Sequence, residues 1–186
     1  MMNADGAEPG IPVPIRPVTA ADEDAVWPLA RVLATSSEPT REAFARLYRA
    51  TVDDQNAMIF LTRDPDSTVT GYVHVLIHPA FHADGNIGWV EELFVAEDRR
   101  GTGCGRHLMA AAEHWARSEH HAAYVALATR RAADFYLAVG YDESAVYLKK
   151  DLANSAGDGP DRSMIETNAW NRSKSATFAV AIDSIP

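Results

Sequence analysis

Three glycines within five residues, placed between a strand and a helix, constrain this chain more than any other feature. They lie in the segment Arg100-Gly101-Thr102-Gly103-Cys104-Gly105-Arg106. The residues before it, 87–95, predict a strand, and residues 103–119 predict a helix because apolar residues recur at helical spacing. Glycine lets the backbone approach a ligand closely, and the first turn of a helix presents unpaired N–H groups with partial positive charge. The segment therefore predicts a phosphate-binding anion site.

The spacing of the glycines excludes two common phosphate-binding loops. The nucleoside-triphosphate loop requires a lysine after its last glycine, and none follows here. The dinucleotide fingerprint Gly-x-Gly-x-x-Gly fits Gly101 and Gly103, but Arg106 takes the last place. The pattern that does fit is Arg-x-x-Gly-x-Gly, starting at Arg100. The bland alternative is a tight turn, for which one or two glycines would suffice.

The segment resembles the coenzyme A pyrophosphate loop of the GNAT superfamily of N-acetyltransferases. The resemblance extends upstream to Glu92-Leu93-Phe94-Val95, at the end of a strand. It extends downstream to Phe135-Tyr136-Leu137-Ala138-Val139-Gly140-Tyr141, which is similar to a second signature of that family. In all it covers about residues 15–152, in the order and separation that the family has.

Hydrophobic periodicity along the rest of the chain predicts a mixed α/β order. We expect strands at residues 15–18, 57–62, 69–77, 87–95, 124–128 and 145–149. We expect helices at 20–33, 40–50, 103–119 and 132–139, with Thr19 as the first N-cap and Asp22 as its box-like partner. Pro28 should kink or divide the first helix, residues 79–86 should form a loop, and Gly140 should end the last helix.

The predicted fold class is α/β, of the mixed α+β kind. The resemblance implies the GNAT fold, with a central, mostly antiparallel twisted sheet that is splayed at the cofactor site and flanked by about four helices. We expect residues 1–12 to be a flexible leader and 13–152 to be the acetyltransferase domain. Residues 153–186 would be a C-terminal extension, either disordered or with an extra strand at 176–182.

Charge and composition limit the partners. The chain has 186 residues and a net charge of −9, which argues against nucleic-acid binding and is compatible with a cationic amine. The acidity is equally what solubility alone would give. No apolar stretch reaches the roughly 18 residues of a membrane helix, and the N-terminus lacks the pattern of a signal peptide. We therefore expect a cytoplasmic protein with no membrane partner.

The resemblance also implies which residues hold acetyl-CoA. The strand Leu93-Phe94-Val95 would hold the pantetheine arm, and the amide of Phe94 or Val95 would polarise the acetyl carbonyl. The pyrophosphate would be held by Arg100, Gly101, Thr102, Gly103, Cys104, Gly105 and Arg106. Many relatives have a polar Asn or Asp after the next strand, where this chain has Thr129 and Arg130, which leaves that contact in doubt.

The resemblance makes Tyr136 the candidate general acid, which would protonate the departing thiolate; the alternative is that Tyr136 only packs against the sulfur end of the cofactor. Glu91 and Glu92 are the candidate general bases. Adjacent strand side chains point to opposite faces, so at most one is expected to reach the acceptor. Glu92 is favoured from its place before Leu93.

Other reactive side chains carry weaker predictions. His74, His78 and His82 are spaced by four, but they lie on a strand and a loop, so no metal is expected and one of them would at most line the acceptor pocket. Cys104, the one cysteine, forms no disulfide within the chain and is expected to be loop filler rather than a nucleophile.

The predicted reaction moves an acetyl group from acetyl-CoA to a primary amine by direct attack in a ternary complex. The acceptor is predicted to be a small-molecule or peptide amine, gathered by the acidic residues Asp84, Glu91, Glu92, Asp142 and Glu143. The alternative is a non-catalytic acyl-CoA-binding sensor or interaction module. A homodimer formed through the C-terminal extension is a further alternative, and no motif names the acceptor or the acyl chain length.

Overall fold

A computed structural model describes residues 14–34, 38–150 and 152. The predicted leader at 1–12 and extension at 153–186 lie outside these residues. The chain divides into two units, Met1–Ser144 and Ala145–Pro186. In the second unit, residues 145–150 and 152 contain no helix or strand, so the strand predicted at 145–149 is wrong. The apolar residues Val146 and Leu148, which suggested that strand, are largely exposed.

The first unit is built on a five-stranded sheet in the order β1-β2-β3-β4-β5. The strands are β1 Ile15–Pro17, β2 Ala57–Arg63, β3 Val69–Ala80, β4 Gly85–Val95 and β5 Tyr124–Leu127. The first four pair with their neighbours in antiparallel fashion, and β5 lies parallel to β4. Short connections join β2 to β3 and β3 to β4, whereas residues 18–56 separate β1 from β2. The parallel strand β5 is reached through a helix, as a parallel crossover requires.

Four α-helices flank the sheet: α1 Glu23–Leu33, α2 Arg41–Asp53, α3 Cys104–His120 and α4 Ala133–Ala138. The mixed α+β class, the mostly antiparallel sheet and the number of helices are thus as predicted. A short 3₁₀ turn, Ala20–Asp22, precedes α1, where the backbone N–H of Thr19 donates to Oδ2 of Asp22 over 2.8 Å. Gly140 follows α4 with φ of 99°, a conformation that favours glycine at a helix end.

Two apolar clusters cover the two faces of the sheet. On one face, α3 buries Leu108, Met109 and Ala112 against Val73, Val75 and Val90 of the strands. On the other, Val26 of α1 and Tyr48 of α2 pack with Ile59, Leu61 and Tyr72. The alternation of buried residues along β3 divides the strand between the two clusters, as a sheet covered on both faces demands.

Two prolines do not act as the sequence predicts. Pro28 lies inside α1, and the helix continues through it, so Pro28 does not divide the helix. Pro79 lies within β3, which runs on to Ala80 and pairs Pro79 with Asn86, so both ends of the predicted loop at 79–86 are strand. A short 3₁₀ turn, Phe81–Ala83, with Asp84 at φ of 51°, makes the actual connection.

Candidate functional site: the open end of β4 and the glycine segment

The strand β4 pairs with β3 along its length but loses its second partner, β5, halfway along. Its first half pairs with β5 as far as Val90, which lies opposite Leu127, the last residue of β5. Beyond Val90, the residues up to Val95 pair only with β3 among the described strands. The sheet is therefore open on one side of Leu93, Phe94 and Val95, which is where a splay is expected.

A β-bulge coincides with this change. His74 of β3 pairs with Glu92 while the next residue, Val75, pairs with Val90, so Glu91 is the extra residue of β4. A bulge interrupts strict alternation of side chains. The expectation that only one of Glu91 and Glu92 reaches the acceptor face rested on that alternation, and the bulge removes the argument. Both side chains are exposed.

Glu92 is held by a buried tyrosine. The hydroxyl of Tyr72 donates to Oε2 of Glu92 over 2.7 Å, and Tyr72 is only 1% exposed. Burial raises the pKa of Tyr72, with a further contribution from the charge of Glu92, so the phenol keeps its proton and remains a donor. A hydrogen bond to a charged group is worth about 1.5–3 kcal/mol, which is enough to orient the carboxylate.

The glycine segment adopts the backbone that its sequence predicts. Gly101 and Gly103 have φ of 75° and 91°, and Gly103 is the N-cap of α3. The first hydrogen bond of the helix runs from the amide of His107 to the carbonyl of Gly103 over 3.1 Å. The amides of the first turn, from Cys104 to Arg106, precede that bond and have no intrahelical acceptor. This is the geometry of an anion site at a helix N-terminus.

An ion pair anchors the approach to the segment. Arg99 donates to Asp64 through Nε and Nη2, with distances of 2.9 and 2.5 Å to the two carboxylate oxygens. The hydroxyl of Thr102 donates to the carbonyl of Arg99 over 2.7 Å, which closes the turn. Nε of Arg100 donates to the carbonyl of Val95 over 3.2 Å. The backbone between β4 and α3 is thus fixed at both ends by side chains.

The start of α3 contacts both β4 and α4. A Cβ placed on Gly105 would lie 3.1 Å from the ring of Phe135 and 3.7 Å from Val95. Nη2 of Arg106 lies 3.4 Å from the carbonyl of Ala138. The absence of a side chain at Gly105 therefore allows the helix that carries Tyr136 to lie against the glycine segment and the open end of β4.

Tyr136 lies among aromatic rings next to this contact. Its ring centroid is 5.0 Å from that of Phe135 and 5.8 Å from that of Tyr141, both in edge-to-face arrangements. Burial raises the pKa of Tyr136. The hydroxyl of Tyr141 donates to Glu113 over 2.9 Å, so Tyr141 has a structural partner. No hydrogen bond from the Tyr136 hydroxyl is present among the described residues, which fits a group that is free to serve a ligand.

The chain matches the model of the acetyltransferase (GNAT) family over residues 24–141. That span is more than half of the chain, and it contains β4, the glycine segment and α4. This chain belongs to the GNAT acetyltransferase family. The predicted family and the predicted acyltransferase class are confirmed.

Solved structures of GNAT N-acetyltransferases have the same fold. Glucosamine-6-phosphate N-acetyltransferase from Arabidopsis thaliana superposes with a TM-score of 0.66 at 19% identity, covering 75% of this chain and 97% of that one. Aminoglycoside antibiotic 6'-N-acetyltransferase AAC(6')-Ih from Acinetobacter baumannii superposes with a TM-score of 0.62 at 17% identity, covering 75% and 99%. AAC(6')-Iy, solved with the bisubstrate analogue CoA-S-monomethyl-acetylneamine, gives 0.64 at 17% identity, covering 75% and 98%. Among curated proteins, none matches in sequence.

The remaining predicted site residues of this GNAT chain are less closely gathered. Thr129 is exposed, and its hydroxyl accepts from the amide of Ala132 over 3.1 Å, a local turn contact. Cys104 is buried as the first residue of α3, with Sγ 3.2 Å from the hydroxyl of Thr102, so it lies in the helix and not in the loop where it was expected. The acidic residues Asp84, Asp142 and Glu143 are exposed, and no contact among the described residues joins them to Glu91 or Glu92.

The three histidines have different surroundings. His74 is partly buried on β3, His78 is exposed on the same strand, and His82 lies 2.9 Å from the hydroxyl of Tyr124. Among the described residues, no group of three or more metal-ligating side chains stands together. Within that same part of the chain, no helix is long and apolar enough to cross a membrane.

Helices α1 and α2 bring an aromatic and charged cluster to the other face of the sheet. The rings of Trp27 and Phe44 lie 5.1 Å apart, and the guanidinium of Arg41 lies 5.9 and 5.7 Å from their centroids. Arg41 also pairs with Glu23 over 2.7 Å. These two helices thus present aromatic rings and a paired cation on this face.

The sequence singled out His74 only as one of three histidines that could line the acceptor pocket, and it did not reveal Tyr72 or the pair of Arg99 and Asp64. Tyr72 and Glu92 are 20 residues apart, and their hydrogen bond depends on a register that the bulge sets. Arg99 and Asp64 are 35 residues apart. The one available signal for Tyr72 was its place on a strand predicted to neighbour that of Glu92.

Proposed function

We propose that this chain transfers an acetyl group from acetyl-CoA to a primary amine by direct attack in a ternary complex. One observation carries the proposal: Val95, Gly105 and Phe135 meet at one point. Their meeting joins the open edge of β4, the unpaired amides of α3 and the helix that bears Tyr136. An acyl donor with a pyrophosphate at one end and a thioester at the other spans such an arrangement.

The pyrophosphate would bind at the start of α3. The amides from Gly101 to Arg106 supply donors, and the helix N-terminus adds partial positive charge. Arg100 and Arg106 are exposed there and add two cations at this end of an acidic protein. The ion pair between Arg99 and Asp64 holds the backbone in place before the ligand arrives, which lowers the entropic cost of binding.

The pantetheine arm would lie along Leu93, Phe94 and Val95. The carbonyl of Phe94 lies 2.8 Å from the position of a Cβ on Gly71 of β3, so the peptide groups of Phe94 face the neighbouring strand. The carbonyl of Val95 accepts from Arg100 instead, so the peptide groups of Val95 face away from β3. Of the two predicted oxyanion donors, the amide of Val95 is therefore the better candidate.

Tyr136 would protonate the departing thiolate. Since burial raises its pKa, the phenol carries its proton at neutral pH and can donate it. An ordinary thiol has a pKa of about 8.5, so the thiolate leaves readily and the acid helps without being obligatory. Thr129 stays a predicted contact of the cofactor arm.

Glu91 and Glu92 would receive the acceptor. Two exposed carboxylates next to the open end of β4 attract an ammonium group, and either can take its proton directly or through water. The sequence favoured Glu92 as the general base; because Tyr72 fixes the orientation of its carboxylate, we assign Glu92 the binding of the ammonium group, which leaves Glu91 able to take the proton. Two of the similar structures are named as acetyltransferases of glucosamine-6-phosphate and of aminoglycosides. For this chain, the proposed acceptor is a small-molecule or peptide amine.

The reaction balances with these groups. The amine nitrogen forms a bond to the acetyl carbon while the carbon–sulfur bond breaks, giving an amide and CoA thiol. The amine proton leaves through the carboxylate side, and the thiolate receives a proton from Tyr136. Positioning of the two substrates supplies much of the rate. A cytoplasmic location, the absence of nucleic-acid and membrane partners, and a homodimer stay predictions.

Release of free thiol from acetyl-CoA, measured with a panel of amines, tests the proposal. The panel should include a polyamine, an aminoglycoside, an arylalkylamine, an amino sugar phosphate and a peptide with a free lysine. Amine-dependent thiol release, with one acetylated amine per thiol, is the expected result. Calorimetric binding of acetyl-CoA without turnover of any amine would favour the acyl-CoA sensor instead.

A further inference from the structure

His74 occupies an unusual position beside the two carboxylates. It lies on β3 between Ile59 of β2 and Glu92 of β4, which are its partners in the sheet. It lies two residues from Tyr72, so both side chains point to the same face of the strand. The ring is partly exposed, but Nε2 is buried and has no hydrogen-bond partner among the described residues.

A buried nitrogen without a hydrogen-bond partner lowers the stability of the fold by about 1–3 kcal/mol, so a functional explanation is worth seeking. Two other side-chain atoms of the described residues share this condition, Nη1 of Arg41 and Oγ1 of Thr62. Guanidinium stays charged and a hydroxyl stays neutral at ordinary pH. Imidazole is the group that can both take and release a proton near neutral pH. His74 is therefore the one of the three suited to proton transfer.

The surroundings of His74 keep it neutral until a proton arrives. Burial lowers its pKa, and the charge of Glu91 acts in the opposite direction and raises it. Burial is the larger effect, so the ring is unprotonated at neutral pH and can accept a proton. Once the ring is protonated, the same carboxylate stabilises the imidazolium. The bulge places the charge of Glu91 near His74, because Glu91 is the extra residue of β4 directly beside the pair of His74 and Glu92.

We propose that Glu91 and His74 form a proton relay, in which the imidazole takes up the proton that Glu91 removes from the acceptor amine. The proposal rests on the proposed acetyl transfer and deepens it. When the amine attacks, its proton passes to the carboxylate of Glu91, directly or through water, and from there to His74. Glu91 is thereby returned to its charged form, and Glu92, held by Tyr72, keeps its charge to bind the amine. His74 acts through Glu91 and releases its proton to solvent after the product leaves.

Few titratable groups other than this pair face His74. Glu92 comes from β4, and Tyr72 lies on β3 like His74 itself. The residue of β2 that pairs with His74 is the apolar Ile59. From the helices on this face, buried Tyr48 has a pKa raised by burial and stays neutral. Two acidic residues at the start of α1 are already paired, with these partners: Asp22 with Arg16 and Arg63, Glu23 with Arg41 and Arg49. An acid limb that lies above the ordinary carboxyl pKa is therefore assigned to His74.

The first test compares His74→Gln with His78→Gln, a matched control on the same strand with an exposed ring. With the amine that the panel identifies, we expect His74→Gln to lower the acceptor kcat/KM at least tenfold and to leave the Kd for acetyl-CoA within twofold. His78→Gln should change neither. Equal effects of the two variants would overturn the relay. Free imidazole added to His74→Ala should restore part of the rate, because it can enter the space left by the ring.

The pH profile separates a relay from a merely structural role. Activity of the unaltered chain should fall with decreasing pH as His74 becomes protonated, below the ordinary histidine pKa of about 6.5. That limb should disappear in His74→Gln. It should move to lower pH in Glu91→Gln, because the charge that raises the pKa of His74 is gone. A limb that stays in place in both variants would overturn the proposal.

A spectroscopic measurement keeps the inference separable from the proposed function. The protein is labelled with ¹⁵N-histidine, His74 is assigned by its loss in His74→Gln, and its pKa is read from the ring nitrogens. We expect a pKa for His74 below the ordinary histidine value of about 6.5, and a lower one still in Glu91→Gln. If the panel yields no turnover, the proposed function fails. The pair of Glu91 and His74 is then tested by the spectrum alone. If the pKa of His74 is unchanged in Glu91→Gln, the relay is overturned.

Discussion

The buried hydroxyl of Tyr72 donates a hydrogen bond of 2.7 Å to Glu92, across the two strands that flank the open end of the sheet. The contact depends on the bulge at Glu91, which turns Glu92 toward the face that carries Tyr72 and the helices α1 and α2. A residue of the predicted acceptor site is thus fixed by a residue of the core. This coupling of core and site gives the first prediction.

Tyr72→Phe should lower the acceptor kcat/KM about tenfold while the Kd for acetyl-CoA stays unchanged, because Glu92 loses the bond that orients it. The matched control is Tyr48→Phe, which removes a hydroxyl bonded to the carbonyl of Thr19 over 2.9 Å on the same face. Both variants should lose about 1 kcal/mol of unfolding free energy. Steady-state kinetics would contradict the role of Tyr72 if the two variants had equal activity.

Tyr136→Phe should reduce kcat for thiol release about tenfold or more, with little effect on the Kd for acetyl-CoA. The ring still packs against Phe135 and Tyr141, and only the proton donor is lost. Tyr141→Phe serves as the control, since its hydroxyl bonds to Glu113 and would affect stability rather than turnover. A kcat within twofold of the unaltered chain across the pH range would remove Tyr136 from the mechanism.

Asp64→Asn should weaken acetyl-CoA binding several-fold, because Arg99 loses its charged partner and the turn before α3 becomes looser. Asp98 offers a control on the same arginine, since it is 72% exposed and lies 3.5 Å from Arg99. An exposed pair of this kind contributes little, so Asp98→Asn should leave the Kd unchanged. Calorimetric Kd values that rise equally for both variants, or that rise for neither, would contradict an anchoring role of Asp64.

Asp22→Asn should destabilise the fold at neutral pH by about 2 kcal/mol, because it leaves Arg16 and Arg63 without their shared carboxylate. The hydrogen bond from Arg16 is the main reason that the pKa of Asp22 lies below its ordinary value. A carboxyl whose pKa is lower in the folded state than in the unfolded state stabilises the fold at pH values above its unfolded pKa of about 3.9. This stabilisation is lost as the pH falls below that value.

Denaturant titrations at several pH values check this prediction. The difference between the unaltered chain and Asp22→Asn should be constant from pH 5 to 7, on the order of the predicted 2 kcal/mol, and should shrink below pH of about 4. Asp24→Asn is the control, because its carboxylate is 91% exposed and contacts Arg41 at the surface. A difference that stays constant down to pH of about 2 would contradict the assignment to the ionised carboxylate.

The fold and the backbone geometry of the glycine segment were predictable from local patterns. Gly101, Gly103 and Gly105 mark the end of a strand and the start of a helix, and the relation of these elements is set within a few residues. Phe135 to Tyr141 likewise form a local helix and its stop. Such features depend on neighbouring residues, which a sequence displays directly.

The acceptor side was predictable only in part, because its contacts depend on register. The alternation rule put Glu91 and Glu92 on opposite faces, and one inserted residue in the pairing with His74 changed that. The buried state of Nε2 of His74 and the bond between Tyr72 and Glu92 arise from packing between distant segments. The strand predicted at 145–149 failed for a related reason, since its apolar pattern does not by itself supply a partner strand.

Calorimetric titration of acetyl-CoA into the unaltered chain, Gly105→Ala and Gly85→Ala tests the central claim, that the glycine segment holds the acyl donor. A Cβ on Gly105 would lie 3.1 Å from Phe135 and push α4 away from the segment, whereas a Cβ on Gly85 meets nothing closer than 3.9 Å. The account predicts binding that Gly105→Ala weakens at least tenfold and Gly85→Ala leaves intact. No binding to the unaltered chain, or equal binding to all three proteins, would contradict it.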